Sequence, residues 1–202
     1  MVPSLRYPIS ICLILMVCPS FAQVSKAEGL AIQAALAKLN RFEVSFKQET
    51  YSDFFDPTLA EGTLKVARPG KMRMDYRVGE RKALIWDGTT CYEYDSLADS
   101  ESRTAQEEVK DQPLVRLLLY GDQVSHHFLV TRETVGPGSG KRYLLRPRDG
   151  AEYQITIEFD PTWTPTFLDI YFDDGEGTRL WFGDMNTDPK FGDDLFVVPP
   201  PG

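Results

Sequence analysis

Three cysteines and two histidines are all that 202 residues offer for sulfur or imidazole chemistry. Cys12 and Cys18 fall inside the first apolar stretch, so Cys91 stands alone in the rest of the chain and no internal disulfide can form there. Its setting, "TTCYEYD", is strand-like and fits a small buried apolar residue better than a reactive thiol. His126 and His127 are neighbours, and on a strand they would point to opposite faces. A zinc site would need a second pair of ligands at metal-binding spacing, and none exists. Cations are scarce too: 22 Lys and Arg stand against 30 Asp and Glu, a net charge of −8. That balance argues against nucleic acid or anionic lipid headgroups as partners. Long apolar runs are missing after residue 18.

The one such run, "ISICLILMVC" (Ile9 to Cys18), follows Arg6 and leads into small residues at Ser20 and Ala22. This describes a secretory signal peptide, residues 1–22, cut after Ala22. The run is shorter than the ~20 apolar residues of a membrane span. A lipid-modified Cys18 is disfavoured because Val17 precedes it where Gly, Ala or Ser is wanted. Removal leaves 180 residues with 21 Lys and Arg against 30 Asp and Glu, net −9. The product is expected to be one soluble, exported, monomeric domain over residues 23–202.

Catalytic signatures are equally thin. No G-x-S-x-G elbow is present. "GPGSGKR" has three residues between Gly136 and Gly140, one short of a Walker loop, and Arg142 follows the lysine. "DMNTD" begins like a calcium loop, but Pro189 and Leu195 occupy the positions that need Gly and Glu. "DDGEG" and "FGDD" read as solvated turns. No carboxylate pair singles out a general acid. The expectation is a protein without cofactor, metal or enzymatic activity.

What is present is alternation. Val24 to Asn40 reads as a helix with a capping box at Ser25 and Glu28 and an apolar stripe of Ile32, Ala35, Leu36 and Leu39. Strands follow: Phe42, Val44 and Phe46 alternate with polar residues, then "GTLKVARPGKMRMDY", "KALIW", a turn at Asp87-Gly88, and "CYEY". Residues 96–112 read as a polar loop. Pro113 opens and Gly121 closes a short helix, "PLVRLLLYG", in which Arg116 is expected to face outward. Strands resume with "HFLVTRE", "RYLLRPR", "YQITIEF", "TFLDIYF", "TRLWFGD" and "LFVV". About eleven strands on short turns form an antiparallel sheet that curls, and two helices cannot cover it if it lies open. The fold class is therefore mainly β with an α lid: an unclosed antiparallel half-barrel covered by short helices.

One residue interrupts the pattern. Arg68 lies in line with Leu64 and Val66, on the side that wants to be buried. It is either a strand-end cation reaching back to water or a built-in polar contact. Met72, Met74 and Tyr76 share a face of the next strand, either as ordinary core or as a soft surface for variable apolar ligands.

The series "FEVSFKQ", "GTLKVARPGKMRMDY", "IWDGTTCYEYD", "PLVRLLL" and "FVVPPPG" resembles the LolA family, over nearly the whole chain after the leader. The most specific pieces are F-x-x-x-F-x-Q, R-P followed by R-x-x-Y, and the D-G hairpin. The related LolB receptor is lipid-anchored, which the Cys18 context disfavours. The resemblance implies an eleven-stranded unclosed barrel that carries the acyl chains of lipoproteins from the inner to the outer membrane. It implies that Arg68 latches a lid by bonding helix carbonyls, with Leu36, Leu117 and Leu118 as the matching lid positions. Phe42, Val44, Phe46, Leu64, Val66, Met72, Met74 and Tyr76 would line the acyl cavity. The implied partners are acylated lipoproteins, an inner-membrane ABC-type lipoprotein release complex and, if present, an outer-membrane lipoprotein receptor. A second reading is a periplasmic sensor of the same fold that detects lipid or mislocalised protein. A secreted enzyme on a β-rich scaffold is the third.

Overall fold

The computed structural model describes residues 22–112, 115–135 and 140–200. The expected leader up to Phe21, Pro113 at the head of the second helical segment, the glycine-rich loop Gly136–Ser139 and the final Pro201 and Gly202 lie outside them.

Helix α1 (Lys26–Ala37) starts where its cap dictates: the Ser25 hydroxyl accepts the Glu28 amide at 3.2 Å. The helix is shorter at both ends than the apolar stripe suggests, yet Ile32, Ala35, Leu36 and Leu39 are all buried. Only three residues, Lys38, Leu39 and Asn40, separate the helix from strand β2 (Arg41–Tyr51).

Alternation then becomes register. Against β3 (Thr58–Ala67), Phe42 faces Val66, Val44 faces Leu64 and Phe46 faces Gly62. Against β4 (Lys71–Val78), Val66 faces Met72, Leu64 faces Met74 and Gly62 faces Tyr76. On β5 (Lys82–Asp87), Trp86 and Leu84 continue the same face opposite Met72 and Met74. Gly62 is where this face closes up. A β-carbon there would meet the Phe46 ring at 2.8 Å and press on the Asp75 carbonyl. Without it, the Phe46 and Tyr76 rings meet edge to face, 5.3 Å apart, across the strand between them.

Strands β6 (Thr90–Asp95) and β7 (Ser100–Ala105) extend the sheet on one side. The other side is built from β8 (Phe128–Glu133), β9 (Lys141–Pro147), β10 (Tyr153–Phe159), β11 (Pro165–Phe172) and β12 (Gly177–Phe182). A two-residue β1 (Ala22–Gln23) pairs with β8. The order is β1-β8-β9-β10-β11-β12-β2-β3-β4-β5-β6-β7, antiparallel throughout, with β7 and β1 left as open edges. The sheet is thus an unclosed barrel of eleven full strands and one short one.

The topology dictates where the remaining helices lie. Strands β7 and β8 sit toward opposite edges, so the chain between them must cross the open side of the curl. That crossing carries α2 (Gln106–Val109), a π-helical turn α3 (Arg116–Tyr120) and α4 (Val124–His127).

Three local expectations are corrected. Residues 96–112 contain β7 and α2 rather than a plain loop, because an edge strand is polar on both faces and hides its alternation. "LFVV" forms no strand: the segment turns on itself through bonds from Leu195 to Gly192 and Val197 to Asp194. It lies instead on the convex side, where Arg73 donates to the Leu195 carbonyl and Arg103 to that of Pro200. Phe196 is buried there, against Phe191, over which Arg41 stacks. The strand count came out near eleven because β7 took the place of this tail. His126 and His127 end α4 rather than lying on a strand. The Gln33 side chain accepts the Val124 amide and starts that turn.

Candidate functional site

The concave face is not filled. A cavity of about 500 Å³ lies between β4 and β5 on one wall and β11 and β12 on the other. Met72, Met74, Tyr76, Leu84 and Trp86 form the first wall, and Ile170, Phe172, Thr178 and Leu180 the second. Val115, Leu119 and Gln112 of the crossing segment close it from above. The lining is apolar except for Gln48, Gln112, Thr178 and the Tyr76 hydroxyl, which donates to Gln48 at 2.9 Å. Burial raises the Tyr76 phenol, so it stays protonated at neutral pH.

The other residues expected in the cavity sit deeper. Phe42, Val44, Phe46, Leu64 and Val66 share the face but do not line the space. They are packed in one buried cluster with Ile32, Leu36 and Leu39 of the α1 region. Helix α1 fills that end of the trough, so these side chains support the hollow rather than bound it. Arg116 bonds Asp111 at 2.9 Å and is absent from the cavity wall.

Arg68 leaves the end of β3 and reaches the cover. Its Nε donates to the Leu118 carbonyl at 2.9 Å, Nη1 to Leu36 at 2.8 Å and Nη2 to Leu117 at 3.0 Å. One guanidinium thus ties the C-terminal turn of α1 to α3. Both termini present carbonyls with free acceptor capacity and partial negative charge, which suits a planar five-donor cation. Among the described residues Arg68 has no ion-pair partner. Burial lowers its pKa to about 10, so it remains cationic at neutral pH, its desolvation offset by carbonyl hydrogen bonds rather than by an opposite charge.

Two features of this junction escaped the sequence reading. Gly121 caps α3 in the left-handed region at φ 61°, and a β-carbon there would lie 2.7 Å from Arg68 Nη1. The proline–glycine asymmetry marked it as a stop, but nothing local showed that the guanidinium needs the space. Gln106 is only 2% exposed. Its Nε2 donates to the Gly70 carbonyl at 2.8 Å and to the Tyr120 hydroxyl at 2.9 Å, while Oε1 accepts the Gly88 amide at 3.1 Å. The Gly70 amide in turn donates to the Leu119 carbonyl at 3.2 Å. The cover is therefore fastened to the β3–β4 and β5–β6 turns at three adjoining points. Gln106 looked like one more polar residue of a polar stretch.

Cys91 is half-buried opposite Trp86, and burial pushes its thiol up to about 11, which leaves little thiolate at neutral pH. Asn186 of "DMNTD" pairs by backbone with Glu43, a structural use of that segment. No helix among the described residues is long and apolar enough to cross a membrane.

Comparison with known proteins supplies the context. The chain is 28% identical over 195 residues to the outer-membrane lipoprotein carrier protein of Neisseria meningitidis serogroup B, covering 93% of this chain and 91% of that one. It is 31% identical over 97 residues to the outer-membrane lipoprotein carrier protein of Pasteurella multocida, covering 47% of this chain and 46% of the relative. Among solved structures, a LolA superfamily protein of Nitrosomonas europaea superposes with a TM-score of 0.49 at 10% identity, over 84% of this chain and 97% of the other. With the profile of the family described as "Outer membrane lipoprotein carrier protein LolA" matching residues 37–199, the chain belongs to the LolA family.

Proposed function

We propose that the protein is a periplasmic carrier that holds the acyl chains of lipoproteins in the concave cavity and passes them toward the outer membrane. In this reading residues 1–22 are the export signal, Arg68 is a reversible latch, and an inner-membrane ABC-type release complex supplies cargo. The observation that carries it is the combination at one site of an apolar hollow and a cover held by one guanidinium. Burying an acyl methylene contributes about 0.8 kcal/mol, so lipid chains do not cross water unaided. The hollow shelters them, and the methionines Met72 and Met74 in its wall adapt to chains of different shape. Each charged hydrogen bond from Arg68 contributes roughly 1.5–3 kcal/mol before its desolvation is counted. The net hold is small enough for a bound chain to overcome. Closure competes with cargo, which weakens binding and lets cargo move onward.

The test is transfer. Purified protein should extract acylated lipoprotein from inner membranes and ignore the same polypeptide without its acyl chains. The Arg68→Leu variant should load at least as well but hand cargo to an acceptor membrane or receptor more slowly, because its closed state is weaker. Equal uptake of acylated and non-acylated cargo would defeat the carrier reading. Normal handover by Arg68→Leu would defeat the latch.

A further inference from the structure

The main cavity shares part of its wall with a neighbouring hollow. Phe172 and Thr178 also line a second chamber of about 280 Å³, which continues the trough away from the cover. Its remaining wall includes Thr58, Phe55, Asp56 and Glu176. This end lies far from the Arg68 junction: Thr58 opens β3 and Arg68 follows its other end, about 30 Å apart for ten residues of strand. The chamber sits between the loops at residues 52–57 and 173–176. These loops touch, since a β-carbon on Gly175 would press on the Asp53 carboxylate.

The two loops have an unusual chemistry. Phe54 and Phe55 are consecutive and 79% and 77% exposed. Single exposed apolar side chains are ordinary, but two together beside a cavity mouth mark a surface that something apolar covers. Around them stand Asp53, Asp56, Asp173, Asp174 and Glu176, with no Lys or Arg in either loop. The nearest cation along the strand, Arg179, pairs with Glu49 and Asp169.

We propose that this chamber is the outlet of the main cavity: the acyl chains of a bound amphiphile lie beneath the cover while its polar head leaves between these loops, and the head accepted there is neutral or cationic, not an anionic phosphate. The inference rests on the carrier reading. An amphiphile stored in an apolar hollow must bring its head back to water somewhere. The cover side is fastened at Arg68 and Gln106, whereas the far side opens through threonine hydroxyls onto exposed aromatics. Phe54 and Phe55 shield the first methylenes past the mouth. The carboxylates repel phosphate and welcome a peptide amide or a lysine. Such an outlet would let the carrier leave bulk phospholipid in the membrane and still hold a peptide-bearing lipid.

The experiment uses the processed protein and two probes with the same two acyl chains: a diacylated cysteinyl peptide ending in lysines, and phosphatidylglycerol. Phe55→p-benzoylphenylalanine, at an exposed site, should photocrosslink to the peptide of the first probe, and Tyr120→p-benzoylphenylalanine on the cover should not. The peptide probe should bind about tenfold more tightly than phosphatidylglycerol, and Asp56→Lys with Glu176→Lys should shrink that gap to about twofold or less. Crosslinking of the peptide from position 120 alone would overturn the outlet. A gap unchanged by the double charge reversal would overturn its selectivity. Failure of the diacylated peptide to bind the unaltered protein would overturn the carrier reading itself, and this inference with it.

Discussion

Arg68 shows how a strand residue can violate alternation and still be satisfied. Its face is the buried one, yet it ends a strand, so its stem follows the apolar side while its head meets helix carbonyls with acceptor capacity to spare. The fit depends on a neighbour with no side chain. In Gly121→Ala the left-handed backbone costs about 1–2 kcal/mol, and the new methyl displaces the guanidinium from 2.7 Å. The variant should therefore copy Arg68→Leu: a Tm lower by a few degrees, with a severalfold rise in apparent affinity for a fluorescent fatty acid, because the binding-competent open form is more populated. In the fatty-acid titration, combining the two substitutions should add little beyond either alone, since both remove one interaction. Additive effects on the fatty-acid titration would show that Gly121 acts only on the backbone.

Among the elements, the crossing segment depends on Gln106 as much as on the arginine. A buried amide that bonds two turns and one helix leaves several groups short when removed. Gln106→Leu should cost about 2–4 kcal/mol, read as a Tm drop of roughly 5–15 °C, together with faster hydrogen exchange at the Gly70 amide. Tyr120→Phe, whose hydroxyl is near water, should cost about 1 kcal/mol or less. Similar losses in the two variants would mean that the Gly70 and Gly88 contacts contribute little. This pair also marks the limit of reading elements from sequence. Strands with one wet and one dry face, such as β2, β4 and β10, declare themselves through period two. Edge strand β7 and the tail at Leu195 do not, because one has no dry face and the other spends its apolar pattern on a turn packed against the sheet's convex face. Arg68 was legible because a charge among alternating apolar residues stands out. Gln106 was not, since a glutamine in a polar run has no contrast until the fold buries it. The five deeper residues from Phe42 to Val66 were placed on the right face, but whether a face is filled by a helix or left hollow depends on long-range packing that alternation does not encode.

At the scale of the whole molecule, an open sheet of this length has two problems with one solution. Its edges, β7 and β1, cannot meet, and its concave face is too broad for its own side chains to fill. The chain that joins the two sides therefore crosses the hollow and serves as its cover, so the cavity follows from the topology rather than from any one residue. Its wall can then be altered without unfolding the sheet. Met74 is buried, lines the hollow and faces Leu64 and Leu84 across the strands, so Met74→Trp projects a larger apolar side chain into empty space rather than into packed core. Overpacking normally costs 1–3 kcal/mol, but here the added ring gains contacts that the empty cavity lacked. Thermal stability should be unchanged or higher, while the lipid recovered with the protein, weighed by native mass spectrometry, should fall sharply. A Met74→Trp protein that loses stability without losing cargo would mean that the space closes on itself in solution and that acyl chains bind elsewhere.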